Sequence, residues 1–222
     1  MEVGSARQQL VDAVRMLERA GLIDHSGHAS VRRDAATFYI NSGASVRGSL
    51  TVDDIVTVDF DGNLLEGGAR PPLEFHIHSE IYRARHDVHA VLHLHPQWST
   101  LLTMTGATYE PVYAQGVLLG HPPVLDSPLS VNTKAMGERL ARTLGQERAA
   151  LLKSHGAVTV GADLVEAFAL AAYLEENAHR QYLAMQIGKP YVFGEAEQAA
   201  CRENLWSASL FRKTWDHYRS KL

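Results

Sequence analysis

Val88-His89-Ala90-Val91-Leu92-His93-Leu94-His95-Pro96 decides the reading of this chain. The apolar run reads as a buried strand, and a strand presents residues two apart on one face, so His93 and His95 point the same way. A buried imidazole needs a polar partner, and two on one face can meet that need by gripping a single cation. Pro96 then opens a helix at its first-turn position. A third histidine ends another apolar run in Leu151-Leu-Lys-Ser-His155-Gly156, and Glu74 lies upstream in Pro71-Pro-Leu-Glu74-Phe-His-Ile-His78. Three histidines and a carboxylate outline a catalytic metal site.

Neutral imidazole suits zinc, iron, cobalt or nickel, and three protein ligands leave a coordination position open, whereas a structural zinc site closes with four ligands and usually uses cysteine. Cys201 is alone, which excludes a cysteine-rich site and any intrachain disulfide. Other polar residues have plainer readings. His89 sits one repeat nearer the strand entrance and faces solvent, and His76 points away from Glu74 on its helix. Glu175, Glu176 and His179 form a solvated or interface face. His121 is a weak candidate for the site.

The 222 residues, 45% hydrophobic and 21% charged, suffice for a full core and predict one domain over 1–222. A net charge of −4 supplies no basic field for nucleic acid. No stretch is apolar enough to span a bilayer, and the first residues lack the pattern of a signal peptide, so a cytoplasmic protein with a small-molecule substrate is expected.

Helical spacing predicts a helix over 5–20, stopped by Gly21. Strands are expected at 29–33 and 37–41, and a hairpin joins 55–60 to Leu64-Leu65 across Asp61-Gly-Asn63. A helix over 74–85 precedes the His93 strand. Ser130 is read as the cap of a helix running to Gly145, strands follow at 149–152 and 157–160, 163–187 is the longest helix, and one further helix covers about 195–218. The sum is a mixed sheet covered by helices, an α/β sandwich without a domain boundary.

Gly27-His-Ala-Ser-Val-Arg32, Asn41-Ser-Gly43, Leu50-Thr-Val-Asp-Asp-Ile55, Asp59-Phe-Asp-Gly-Asn63, Pro72-Leu-Glu74 with His78, Tyr82-Arg-Ala-Arg85, His93-Leu-His95-Pro96 and His155-Gly156, in this order, resemble the class II aldolase/adducin family. The resemblance covers nearly the whole chain and implies a single-domain α/β/α sandwich with a mixed, largely antiparallel central sheet. It implies one divalent metal per subunit on His93, His95 and His155, zinc foremost, with iron, manganese or cobalt as alternatives. It also implies that Glu74 is a ligand before substrate arrives or the catalytic acid/base afterwards, and that the cation stabilises an enolate or enediolate left by carbon-carbon cleavage. Desolvation raises the Glu74 pKa and a cation lowers it. His78, four residues on along the helix, supports the site with a hydrogen bond. Tyr113 falls in the loop where family aldolases carry a proton-donating tyrosine that reaches a neighbouring subunit, which implies a homotetramer.

Departures from the family pattern bear on substrate. Phosphate-using members resemble Gly-Asn at the first turn and Ser-Ser before the glutamate; here those positions are Gly27-His28 and Pro72-Leu73. Ser42 and Gly43 remain as substrate-binding candidates, but Pro72 has no amide donor and Leu73 offers only hydrocarbon. His28 is either a contact for a substrate carboxylate or a turn residue satisfied by the backbone. The reading favours a metal-dependent carbon-carbon lyase acting on an unphosphorylated, hydroxylated and possibly aromatic acid, with decarboxylation ahead of retro-aldol cleavage. The alternatives are an aldolase acting on a hydroxy ketone or keto acid, a non-haem iron oxygenase, and a non-enzymatic adducin-like interaction domain.

Overall fold

A computed structural model describes residues 3–222. Eight strands form one sheet in the order β4-β3-β2-β1-β5-β8-β7-β6: β1 (His28–Arg32), β2 (Thr37–Asn41), β3 (Ile55–Asp59), β4 (Leu64–Glu66), β5 (Ala90–Leu94), β6 (Val124–Leu125), β7 (Ala149–Leu152) and β8 (Gly156–Gly161). Every neighbouring pair is antiparallel except β6 with β7. The sheet is therefore mixed and largely antiparallel, as the family resemblance implies.

Alternation along β5 divides the core in two. Ala90, Leu92 and Leu94 pack with α1 (Val3–Arg19), α3 (Gln97–Thr105), α5 (Leu164–Ile187) and α7 (Ala208–Arg219). Val91 faces the opposite layer with α2 (Phe75–Ala84) and α4 (Lys134–Leu144). His93 shares the parity of Val91, so it faces the α2 layer. Register pairs it with His28 on β1, and cross-strand partners share a face. Two histidines distant in sequence are thus brought side by side by sheet pairing alone.

Several boundaries differ from the sequence reading. Strand β1 starts at His28 rather than Ala29. Pro96 is the N-cap of α3, outside its first turn. The cap of α4 is Thr133, whose side chain accepts from the Met136 amide, and not Ser130. Between them the Val131 amide donates to the Glu74 carboxylate. The tail is two helices, α6 (Glu195–Leu205) and α7, because Ser207 caps a fresh start by accepting from the Leu210 amide. Glu175, expected on a solvated face, instead caps α3 by accepting from the amides of Trp98 and Ser99 at 2.6 and 2.9 Å. No helix is long and apolar enough to cross a membrane among the described residues.

Candidate metal centre

The centre forms where β5, the β7–β8 turn and the start of α2 meet. His93 is the penultimate residue of β5, and His95 lies just past the strand, its amide held by the Leu22 carbonyl. His155 ends the three-residue turn between β7 and β8, following Ser154 at φ 55°. That turn is drawn against α3 by a hydrogen bond from the Ser154 amide to Thr103 Oγ1. Gly156 lets β8 press against the end of β5: a Cβ there would lie 2.1 Å from the Leu94 oxygen and 3.0 Å from His95 Cδ2. Only glycine tolerates such an approach.

Glu74 is the N-cap of α2 but makes no side-chain cap bond. Its carboxylate turns inward, where Oε1 accepts the Val131 amide at 2.8 Å. The Nε2 atoms of His93 and His95 lie 3.1 Å apart. Glu74 Oε2 is 3.5 Å from His93 Nε2, and Oε1 is 3.7 Å from His155 Nε2. One ligand atom from each of the four residues lies within 4.8 Å of the others.

Asp24 Oδ1 accepts from His95 Nδ1 at 2.9 Å, which places the ring proton on Nδ1 and leaves the Nε2 lone pair facing the cluster. Burial and the neighbouring His93 push His155 down to about 4. Burial, followed by His93, also lowers His95. Both rings are therefore neutral at pH 7, the form that ligates. Burial alone would raise the Glu74 carboxyl; the hydrogen bond and charge of His93 and the Val131 amide outweigh it and hold the group well below the usual carboxylate range. Three imidazole nitrogens and one carboxylate converging on a point fit a divalent cation of the zinc or iron type.

Beside Glu74 opens a cleft of about 400 Å³, lined by Pro71, Pro72 and Leu73, by His28, Gly43 and Arg47, and by Ser26 and Ser130. A larger one of about 480 Å³ lies at the far end of β1, near Arg32, Asp34 and His89, away from the histidine cluster. His28 is not the backbone-satisfied turn residue of one reading. It is a buried strand residue whose Nδ1 meets His78 Nε2 at 2.7 Å. His78, expected to support the site with a hydrogen bond, bonds His28 and Ser30 Oγ.

Ser42 is buried, and its carbonyl accepts from Ser45 and Arg47. The Gly43 amide donates to the Arg70 carbonyl. Tyr113 is not brought to the cluster: its amide donates to Asn177 Oδ1 and its ring lies under the Arg180 guanidinium, 4.3 Å from its centroid. His121 pairs with Glu110 at 3.5 Å, His89 is exposed, and His76 packs on Phe75. Asp24 and Arg47 had no signal in the sequence, where neither lies in an apolar pattern that would bury it.

The sequence profile of the Class II Aldolase and Adducin N-terminal domain matches residues 8–182, and the chain belongs to that family. It is 30% identical over 185 residues to the L-fuculose phosphate aldolase of Methanocaldococcus jannaschii, across 82% of this chain and 99% of that protein. It is 35% identical over 160 residues to Decarboxylase NovR of Streptomyces niveus, across 70% of this chain and 59% of that protein. The crystal structure of L-fuculose-1-phosphate aldolase from Thermus thermophilus superposes with a TM-score of 0.72 at 29% identity, covering 84% of this chain and 98% of that one. Membership in this family of aldolases and a decarboxylase makes the protein an enzyme of the metal-dependent carbon-carbon lyase class.

Proposed function

We propose that the protein cleaves a carbon-carbon bond in an unphosphorylated hydroxylated acid, decarboxylation being the favoured reaction, with zinc as the first-choice cation on His93, His95 and His155. One observation carries the reading. The cleft beside the ligand cluster is lined by Pro71, Pro72 and Leu73, with Leu73 82% exposed, so the two positions just before Glu74 offer hydrocarbon instead of side-chain hydroxyls, and the hydroxyls of the cleft come from Ser26 and Ser130. The similarity to a protein called a decarboxylase supports it. A cation in the cluster would supply positive charge where a carbanion develops. Glu74, ionised and fixed at Oε1 by the Val131 amide, has Oε2 available to take a substrate hydroxyl proton and return it to carbon. Residues 1–222 serve as one catalytic domain, in the cytoplasm.

A second reading, aldol cleavage of a sugar phosphate, is favoured by the match to the M. jannaschii enzyme over almost its whole length. Turnover of ortho-hydroxylated aromatic acids beside matched phosphorylated and unphosphorylated ketoses separates the two. Release of carbon dioxide from the acids is the expected result. Efficient turnover of the phosphorylated ketose alone rejects the proposal in favour of the second reading.

A further inference from the structure

Arg47 is 4% exposed, yet no carboxylate pairs with it among the described residues. Its Nε donates to the Gly27 carbonyl at 2.8 Å, and its Nη1 donates to the carbonyls of Ser42 and Ser45 and to Ser45 Oγ. These partners orient the guanidinium without neutralising it. Asp24, the nearest acidic charge acting on it, is engaged by the Ser26 amide and by His95. Nη2 makes no hydrogen bond among the described residues, and Arg47 lines the cleft beside Glu74 together with His28. A buried charge without a counter-ion is costly, so a guanidinium held this way fits an anion that arrives from outside.

His28 supplies a second donor. Tyr82 Oη lies 2.7 Å from Ser30 Oγ but 3.5 Å from its other acceptor, the His89 carbonyl, so its proton goes to Ser30. Ser30 then donates to His78 Nδ1 at 2.6 Å, and His78 Nε2 donates to His28 Nδ1 at 2.7 Å. This chain leaves the His28 proton on Nε2, which is buried with no partner among the described residues. Two residues that each carry an N–H without a partner among the described residues, His28 and Arg47, therefore both line the cleft.

We propose that Arg47 and His28 form the clamp for the carboxylate of the substrate, an inference that rests on the acid-cleaving reading above. Two donors match the two oxygens of a carboxylate. A phosphate dianion, with three oxygens and more charge, would ask for further donors, and the Gly43 amide is already committed to Arg70 while Pro72 has none.

The test is equilibrium titration of the zinc-loaded protein with 2-hydroxybenzoate, with its uncharged analogue 2-hydroxybenzamide, and with inorganic phosphate. Arg47→Met should weaken 2-hydroxybenzoate at least tenfold, leave 2-hydroxybenzamide within twofold, and keep metal content unchanged. Arg47→Lys, which keeps the charge and loses the planar fork, should fall between, and it serves in place of the first variant should that one fail to fold. His28→Gln should weaken the acid severalfold without loss of metal. Unchanged 2-hydroxybenzoate affinity in a folded, metal-replete Arg47→Met protein overturns the clamp. So does a wild type that binds phosphate more tightly than the acid and loses phosphate in Arg47→Met. Binding is read independently of turnover, so a wild type that cleaves only phosphorylated ketoses removes the acid-cleaving reading without being mistaken for failure of Arg47.

Discussion

At the scale of single residues, the four converging side chains divide into holders and a proton carrier. His155→Ala removes one coordinate bond, so metal content and turnover should fall together, as measured by elemental analysis beside a rate assay. Glu74→Gln keeps the size of the side chain and its contact with the Val131 amide. It should retain most of the metal and lose at least a hundredfold in rate, in line with the roughly 10²–10⁴ that a positioned acid/base contributes. Full metal in His155→Ala, or an unimpaired rate in Glu74→Gln, would reassign the residue. These donors were legible because each ends an apolar run or opens a helix. Asp24 and Arg47 were not, since their significance lies in contacts with His95 and Gly27, 71 and 20 residues away in sequence.

His78 carries a pH dependence of its own. Burial, followed by the charge of His93, pushes it down to about 3 in the folded protein, against an ordinary value of 6.5. Between those values the unfolded chain binds a proton that the folded chain refuses. Stability therefore falls as pH drops below 6.5, by about 1.4 kcal/mol per pH unit for this one group, until the folded value is reached. Denaturant unfolding at pH 7, 6 and 5 should show the loss, and His78→Gln should flatten it by that slope while lowering stability at pH 7. An identical slope in the variant would mean that other groups dominate acid sensitivity.

At the scale of elements, the turn between β7 and β8 sets the distance between His155 and the end of β5. Gly156→Ala would drive a methyl into the Leu94 carbonyl and the His95 ring. Overpacking of this kind costs about 1–3 kcal/mol, and here the strain falls on one ligand, His95, through its ring. Metal affinity should drop more steeply than thermal stability, a comparison that calorimetric melting with and without zinc provides. Equal loss in both forms would make Gly156 a packing residue only. The helix breaks show where pattern reading reaches its limit. Apolar spacing continues from α6 into α7, so the tail reads as one helix in sequence, and only the Ser207 cap divides it. The polarity of Glu175 fits an outer face, whereas the exposed amides at the start of α3 recruit it.

At the scale of the whole molecule, alternation and turn residues sufficed for a layered sandwich, because one-residue errors at strand ends leave each buried face unchanged. Assembly is a different matter, since a surface is legible only through what it leaves uncovered. Leu183, Met185, Ile187 and Tyr191 are all exposed at and beyond the end of α5, Ile187 to 92%. On the same helix, Arg180 covers the ring of Tyr113, which is held by Asn177 away from the histidine cluster of its own chain. We expect a cyclic homotetramer, in which each Tyr113 loop can serve a neighbouring cleft while the apolar end of α5 is buried against another copy. Sedimentation at micromolar concentration should give a mass near four times 24.5 kDa, and Ile187→Asp should shift it toward smaller species. If the loop completes a neighbour's site, mixing inactive Tyr113→Phe subunits with inactive Glu74→Gln subunits should restore part of the activity. A monomeric wild type, or no recovery in such mixtures, would confine each active site to its own chain.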